Sequence, residues 1–155
     1  MPVVGEGYSV PIDIMVENQG HFPETFDVTV YVEMISINTT MVTLTSGNFT
    51  TLTVLWNTTG WTKGNYTLSA TASTVPGEID IADNTYIGDS ILITVIGDIN
   101  GDSKVDIKDL VLVIKHYATL PGYPLWNPNA DINCDGKVDI KDLVLVIKHF
   151  GEHYP

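Results

Sequence analysis

Positive charge is scarce in this chain. Its 155 residues include seven basic side chains against 19 acidic ones, a formal net charge of −12. That deficit argues against nucleic acid as a partner, because phosphate binding calls for a basic patch. Cysteine is nearly absent. Cys134 stands alone, so an internal disulfide is excluded, leaving either a small tolerated residue or an intermolecular bridge. No run approaches the roughly 18 uncharged apolar residues of a transmembrane helix. The opening Met1-Pro-Val-Val-Gly-Glu-Gly7 lacks the basic region and apolar core of a signal peptide. The chain is expected to be a fragment of a larger protein or a processed form.

What remains is a chain with 44 % hydrophobic residues, enough for one domain or two small ones. The charge is unevenly spread. Residues 1–96 hold ten acids and one base, Lys63; residues 97–155 hold nine acids and six lysines, for −3. Eight of those nine acids are aspartates in two short stretches, and two divalent cations would bring that part to about +1.

Those stretches overlap a run of 13 residues that occurs twice, Lys104–His116 and Lys137–His149. Asp98-Ile-Asn-Gly-Asp-Ser103 leads into the first copy and Asp131-Ile-Asn-Cys-Asp-Gly136 into the second. Calcium takes six to eight oxygen ligands, which a twelve-residue loop supplies from alternate positions and one carbonyl. Asp98, Asn100 and Asp102 occupy positions one, three and five. The Lys104 carbonyl falls at seven, Asp106 at nine and Asp109 at twelve. The second loop repeats the pattern with Asp131, Asn133, Asp135, Lys137, Asp139 and Asp142. Two Ca²⁺ ions are therefore expected. Val105 and Val138, at position eight, suit the slot where paired loops contact each other. Position six is Gly136 in one loop but Ser103 in the other. Positive φ disfavours a non-glycine residue, so the first site is expected to be weaker or differently shaped.

Each loop runs into a short apolar helix. At 100° per residue, Leu110, Val113, Ile114 and Tyr117 form one stripe. It is expected to pack on Leu143, Val146, Ile147 and Phe150 of the other copy. A helix apolar nearly all round is normally buried, yet a module of this size cannot bury two on every side. The leftover surface points to a partner protein. The expected docking face is Ile107, Lys108, Val111, Leu112 and Lys115, with the twin Ile140, Lys141, Val144, Leu145 and Lys148. The competing reading is that these residues only pack on the preceding domain. His116 and His149 read as outer-face residues, not metal ligands.

Residues 1–96 read as β throughout. Candidate strands are Ser9–Val16, Phe26–Val32, Met41–Leu44, Thr50–Trp56, Tyr66–Ala72 and Ser90–Ile96, rich in β-branched and aromatic residues and separated by Gly, Asn and Pro turns. Short strands at this spacing suggest an immunoglobulin-like antiparallel sandwich, without the Cys…Trp…Cys pattern of antibody domains. Trp56, Trp61 and Tyr66 could line a sugar-binding face or simply pack the core and turns. His21 and Asp27 read as surface residues. Sequons at Asn38, Asn48, Asn57 and Asn65 are compatible with an extracellular or cell-surface protein.

Two family resemblances follow. Val3-Val-Gly-Glu-Gly7, Ile12-Asp-Ile14, Val16-Glu-Asn-Gln-Gly20, Phe26-Asp-Val-Thr-Val-Tyr31, Trp56-Asn57, Gly77-Glu78 and Asp83-Asn84-Thr85 resemble the cell-adhesion-related (CARDB) domains of bacteria and archaea. That resemblance implies a non-catalytic spacer, stabiliser or adhesion module at 1–96. Gly97-Asp-Ile-Asn-Gly-Asp-Ser-Lys-Val-Asp106, Asp109-Leu110 and their second copy resemble a type I dockerin at 97–155. This implies duplicated calcium loop-helix units that dock onto cohesin modules, with recognition residues at the loop end and along the following helix. No linker separates Ile96 from Gly97, so an intramolecular contact between sandwich and dockerin is expected; Trp126 and Tyr154-Pro155 are candidates for a clasp tying the dockerin's own ends. The alternative reading is a carbohydrate-binding or adhesion sandwich attached to a polysaccharide-degrading enzyme. No nucleophile-base constellation marks this chain as an enzyme; any catalytic domain would lie outside it.

Overall fold

A computed structural model describes residues 1–154. The strands are β1 (Val3–Gly5), β2 (Ser9–Glu17), β3 (Glu24–Val32), β4 (Ile35–Leu44), β5 (Phe49–Asn57), β6 (Gly64–Ala72) and β7 (Thr85–Thr94). Two helices follow, α1 (Ile107–His116) and α2 (Ile140–Lys148), with a 3-10 turn at Pro128–Ala130 between them. One sheet has the order β1-β7-β6-β3-β4, and β2 pairs with β5 in a second. All six strands read from sequence have a counterpart, although the last, expected at Ser90–Ile96, starts at Thr85 and ends at Thr94. The structure adds β1, three residues pairing parallel to β7 with Val3 opposite Leu92. It also extends β4 back to Ile35, where a bulge between Val30 and Tyr31 offsets the register of β3 on β4.

The chain divides into two compact units: Pro11–Trp56 with Tyr66–Asp89, and Met1–Val10 with Asn57–Asn65 and Ser90–Pro155. In the first, strict alternation in β3 sends Phe26, Val28, Val30 and Val32 inward, the last fully buried. Phe26, Val28 and Val42 form a core with Val16 of β2 and Leu52 of β5 packed on it, so residues of both sheets share one interior. Trp56 is 2 % exposed and meets Tyr66 edge-on, with ring centroids 5.9 Å apart. Trp56 is therefore a core residue. His21 and Asp27 are exposed, and so are all four sequon asparagines.

The second unit joins both loop-helix copies to β1, the start of β2 and the end of β7. Its core is Val95, Ile99, Val105, Val113, Ala130, Ile132, Val138 and Val146, with Tyr8, Leu110, Leu112, Trp126, Leu143 and Leu145 packed against it. Burying those side chains at about 25 cal/mol per Å² is the main force assembling the unit. Val105 and Val138 are buried in one core cluster, and their backbones bond to other segments. Val105 bonds to the backbone of Gly151 and Glu152, and Val138 to that of Ala118 and Thr119. Each loop is thus stitched to the chain leaving the opposite helix.

Candidate metal centre and docking face

Each helix begins on the aspartate at position nine of its loop. Asp106 caps α1 and Asp139 caps α2, with Asp109 and Asp142 returning the bond at the third helical position in a capping box. Asp109 Oδ2 accepts from the Asp106 N–H at 2.9 Å, and its Oδ1 accepts from the Ile99 N–H at 2.8 Å. Asp142 repeats this with Asp139 and Ile132, both at 2.8 Å. The carboxylate that closes each loop therefore also completes the cap of the helix that follows it.

The first aspartate of each loop organises the turn. Asp98 Oδ1 accepts from the Gly101 N–H at 2.8 Å and its Oδ2 from the Ser103 N–H at 2.9 Å. Asp131 Oδ2 accepts from the Gly136 N–H at 2.8 Å. The third and fifth residues are linked, Asn100 Oδ1 to the Asp102 N–H at 2.8 Å and Asn133 Oδ1 to the Asp135 N–H at 3.0 Å. Asp102 and Asp135 also take the ammonium groups of Lys108 and Lys141, at 2.9 and 2.6 Å. Those lysines hold the two carboxyls below the usual carboxylate range.

The two loops share one backbone form despite their unequal sequences. Gly101 and Cys134 at position four have φ of 73° and 56°, while Ser103 and Gly136 at position six have 68° and 82°. Each loop thus carries one glycine and one strained residue in the left-handed region. The Ser103-against-Gly136 difference is balanced by Gly101 against Cys134.

Asp98, Asp109, Asp131 and Asp142 are all buried, the second and fourth completely. None of the four has a cationic partner among the described residues. Burial pushes Asp98 and Asp142 above the ordinary carboxylate range, and Asp131 to about 6. Buried carboxylates without a counter-charge are costly. Among the described residues no three His, Cys, Asp or Glu side chains are gathered as a ready metal cluster. The donors are instead spread along each turn as carboxylate, amide and carbonyl oxygens, a hard oxygen set that fits calcium.

The helices present a different surface from the one a regular wheel suggests. Val113 and Val146 are buried, and Leu110 and Leu143 are half-buried, as expected. Ile114 and Ile147 are each 58 % exposed, and Tyr117 and Phe150 are also exposed. Leu112 and Leu145, expected to face outward, pack against the core. Their neighbours there come from outside the helices, among them Val95, Ile99 and Ala130, so the buried side of each helix is shifted toward Leu112 and Leu145. Ile107, Lys108, Val111 and Lys115, with Ile140, Lys141, Val144 and Lys148, are exposed as expected.

His116 and His149 are half-buried. The His116 Nδ1 lies 2.6 Å from the Leu125 carbonyl, and that of His149 lies 3.1 Å from Glu152. Trp126 packs into the core. Tyr154 donates its hydroxyl to the Lys63 carbonyl at 3.2 Å and its N–H to the Ser103 carbonyl at 2.9 Å; Pro155 lies outside the described residues. Sequence reasoning missed Tyr8 in this core and the Thr94 hydroxyl on Asp98 Oδ2, at 2.7 Å. Neither lies within the repeat, so no periodicity marks them.

Residues 96–151 match the family model described as the dockerin type I domain. Among solved structures, the chain is similar to the CARDB domain of the PF1109 protein from Pyrococcus furiosus. The crystal structure of that domain, in complex with di-metal ions, is 23 % identical over 59 % of this chain and 80 % of that one, with a TM-score of 0.51. Its solution NMR structure is 22 % identical over 60 % and 86 %, with a TM-score of 0.52. At these identities the likeness shows the fold alone. No curated protein matches the chain. The C-terminal region is thus a dockerin type I domain, carried behind a β-rich region with the CARDB fold.

Proposed function

We propose that this chain is a calcium-dependent docking module that binds a cohesin-type partner, with its β domain acting as stabiliser and spacer in a secreted or cell-surface protein. One observation carries the reading: two identical helices each leave an apolar row exposed. Ile107, Val111 and Ile114 are 59, 54 and 58 % exposed, and Ile140, Val144 and Ile147 are 55, 52 and 58 % exposed. Calcium loops alone have no use for such rows, and contiguous exposed apolar surface is the mark of an interaction site. Lys115 and Lys148 lie beside them without an ion pair among the described residues. The matching partner surface is apolar at its centre with carboxylates at its rim.

In this reading one calcium ion is held by Asp98, Asn100, Asp102, the Lys104 carbonyl, Asp106 and Asp109. The other is held by Asp131, Asn133, Asp135, the Lys137 carbonyl, Asp139 and Asp142. Bound calcium supplies the charge that the buried aspartates lack and fixes each helix relative to its loop. Because the two rows are identical, the partner can engage either one, in orientations related by about 180°. Dockerin and CARDB modules are both non-catalytic. A polysaccharide-degrading activity, if the full protein has one, resides in another domain.

Calorimetry of the calcium-stripped chain tests the metal half of this proposal. Two calcium ions per chain, with a gain of helix on binding, is the expected result. A chain that keeps its helices and takes up no calcium refutes it.

A further inference from the structure

Loop one differs from loop two in what lies beneath it. Thr94, the last residue of β7, is 1 % exposed, and its hydroxyl donates to Asp98 Oδ2 at 2.7 Å. The equivalent position before loop two is Asn127, 33 residues on, whose side chain caps the 3-10 turn by accepting from the Asn129 N–H. Asp131 receives backbone N–H groups only, from Asp135 and Gly136.

A second contact has the same polarity. A Cβ on Gly101 would stand 3.0 Å from Leu92 Cδ2 and 3.4 Å from Val3 Cγ2, so loop one lies directly on the paired strands β1 and β7. Its counterpart in loop two is Cys134, an exposed residue. The need for glycine at position four of one loop and its dispensability in the other follow from that difference. Loop two's neighbours include the Val3 N–H, which donates to Asn129 Oδ1 at 2.9 Å. That bond, however, reaches the segment before the loop and none of its carboxylates.

We infer that Thr94 is a positioning residue for the first calcium loop, and that this site is built jointly by the repeat and by β7. The inference rests on the calcium reading above. A donor to a ligating carboxylate fixes its orientation, and loss of such a partner typically costs about 10- to 100-fold in metal affinity. The hydroxyl on Asp98 is well placed for this role because it is buried and comes from β7, outside the repeat. Loop one should therefore bind calcium with its first ligand already aimed, and its occupancy should be felt at the β1–β7 pairing. Among the described residues, the first aspartate of loop two has no such side-chain donor.

The test uses the full chain, with the amide resonances of Gly101 and Gly136 reporting the two loops separately during a calcium titration. Thr94→Val removes the hydroxyl at constant shape; Thr94→Ser keeps it. For Thr94→Val the Gly101 midpoint is expected to rise about 10-fold or more, with the Gly136 midpoint unchanged. Thr94→Ser should stay close to the parent at both. In the parent chain, hydrogen exchange at Leu92 should slow when loop one fills and be indifferent to loop two. Equal shifts at both glycines, or none at either, would overturn the positioning role. So would a Thr94→Ser variant as weak at loop one as Thr94→Val. A parent chain in which neither glycine responds to calcium overturns the calcium reading itself, an outcome distinct from the other three.

Discussion

The Gly151 N–H donates to the Val105 carbonyl at 2.8 Å, tying the eighth residue of loop one to the chain that leaves α2. The mirrored bond runs from the Ala118 N–H to the Val138 carbonyl, also at 2.8 Å. Val105 and Val138 return N–H bonds to Glu152 and Thr119. The two copies thus fold around each other, as a duplicated unit that cannot bury its apolar face alone must do.

Deleting residues 151–155 removes both backbone partners of Val105 and the Tyr154 contacts, while sparing α2. The two Val105 bonds and the two made by Tyr154, at about 1 kcal/mol each, set the expected loss at about 4 kcal/mol. Thermal unfolding of the calcium-loaded truncated chain should show it, and an unchanged midpoint would mean that the stitch contributes nothing.

Equivalence of the two apolar rows predicts an asymmetric mutational response. Val111→Asp or Val144→Asp alone should weaken partner binding only about 2-fold, the statistical cost of losing one of two equal modes. The double variant should abolish it. A single variant that abolishes binding would rule out two interchangeable orientations.

The strained loop residues can be relaxed. Ser103→Gly and Cys134→Gly each relieve a left-handed conformation that costs an L-residue about 1–2 kcal/mol, against a glycine entropy cost of about 0.5–1. Each should stabilise the chain by about 0.5–1 kcal/mol in denaturant titrations. Destabilisation by either would mean that the side chain makes a contact outweighing its strain.

Acidity should act oppositely on the calcium-free and calcium-loaded forms. Without metal, burial holds Asp131 at about 6 and raises Asp98 and Asp142. The native state then binds more protons than the unfolded chain between the ordinary carboxylate range and about pH 6. Stability therefore falls as pH rises through that window. Calcium needs those groups ionised, so its affinity should fall as pH drops below about 6. Melting of chelated protein at pH 4.5 and 7, beside calcium titrations at pH 5 and 7, checks both signs.

The strands and the loop-helix repeat were legible because both rest on local pattern. Alternation such as Phe26-Asp-Val-Thr-Val announces a half-buried strand, and carboxylates at alternate positions announce an oxygen-rich loop. The errors came where distant segments decide. Leu112 packs on a core drawn from distant segments, among them Val95, Ile99 and Ala130, while Ile114 stays exposed, and a wheel drawn for one helix omits those segments. The same holds for β1, whose three residues form a strand only because β7 offers a parallel edge. Thr94 was invisible as a loop partner because nothing in its own neighbourhood distinguishes it from other strand threonines.

The central claim is calcium-dependent docking, and the most direct measurement is binding of the intact chain to a panel of purified cohesin modules, in millimolar calcium and again with excess chelator. At least one cohesin should bind in calcium and release when the metal is withdrawn. Binding that survives chelation, or no cohesin bound at any calcium level, would contradict it.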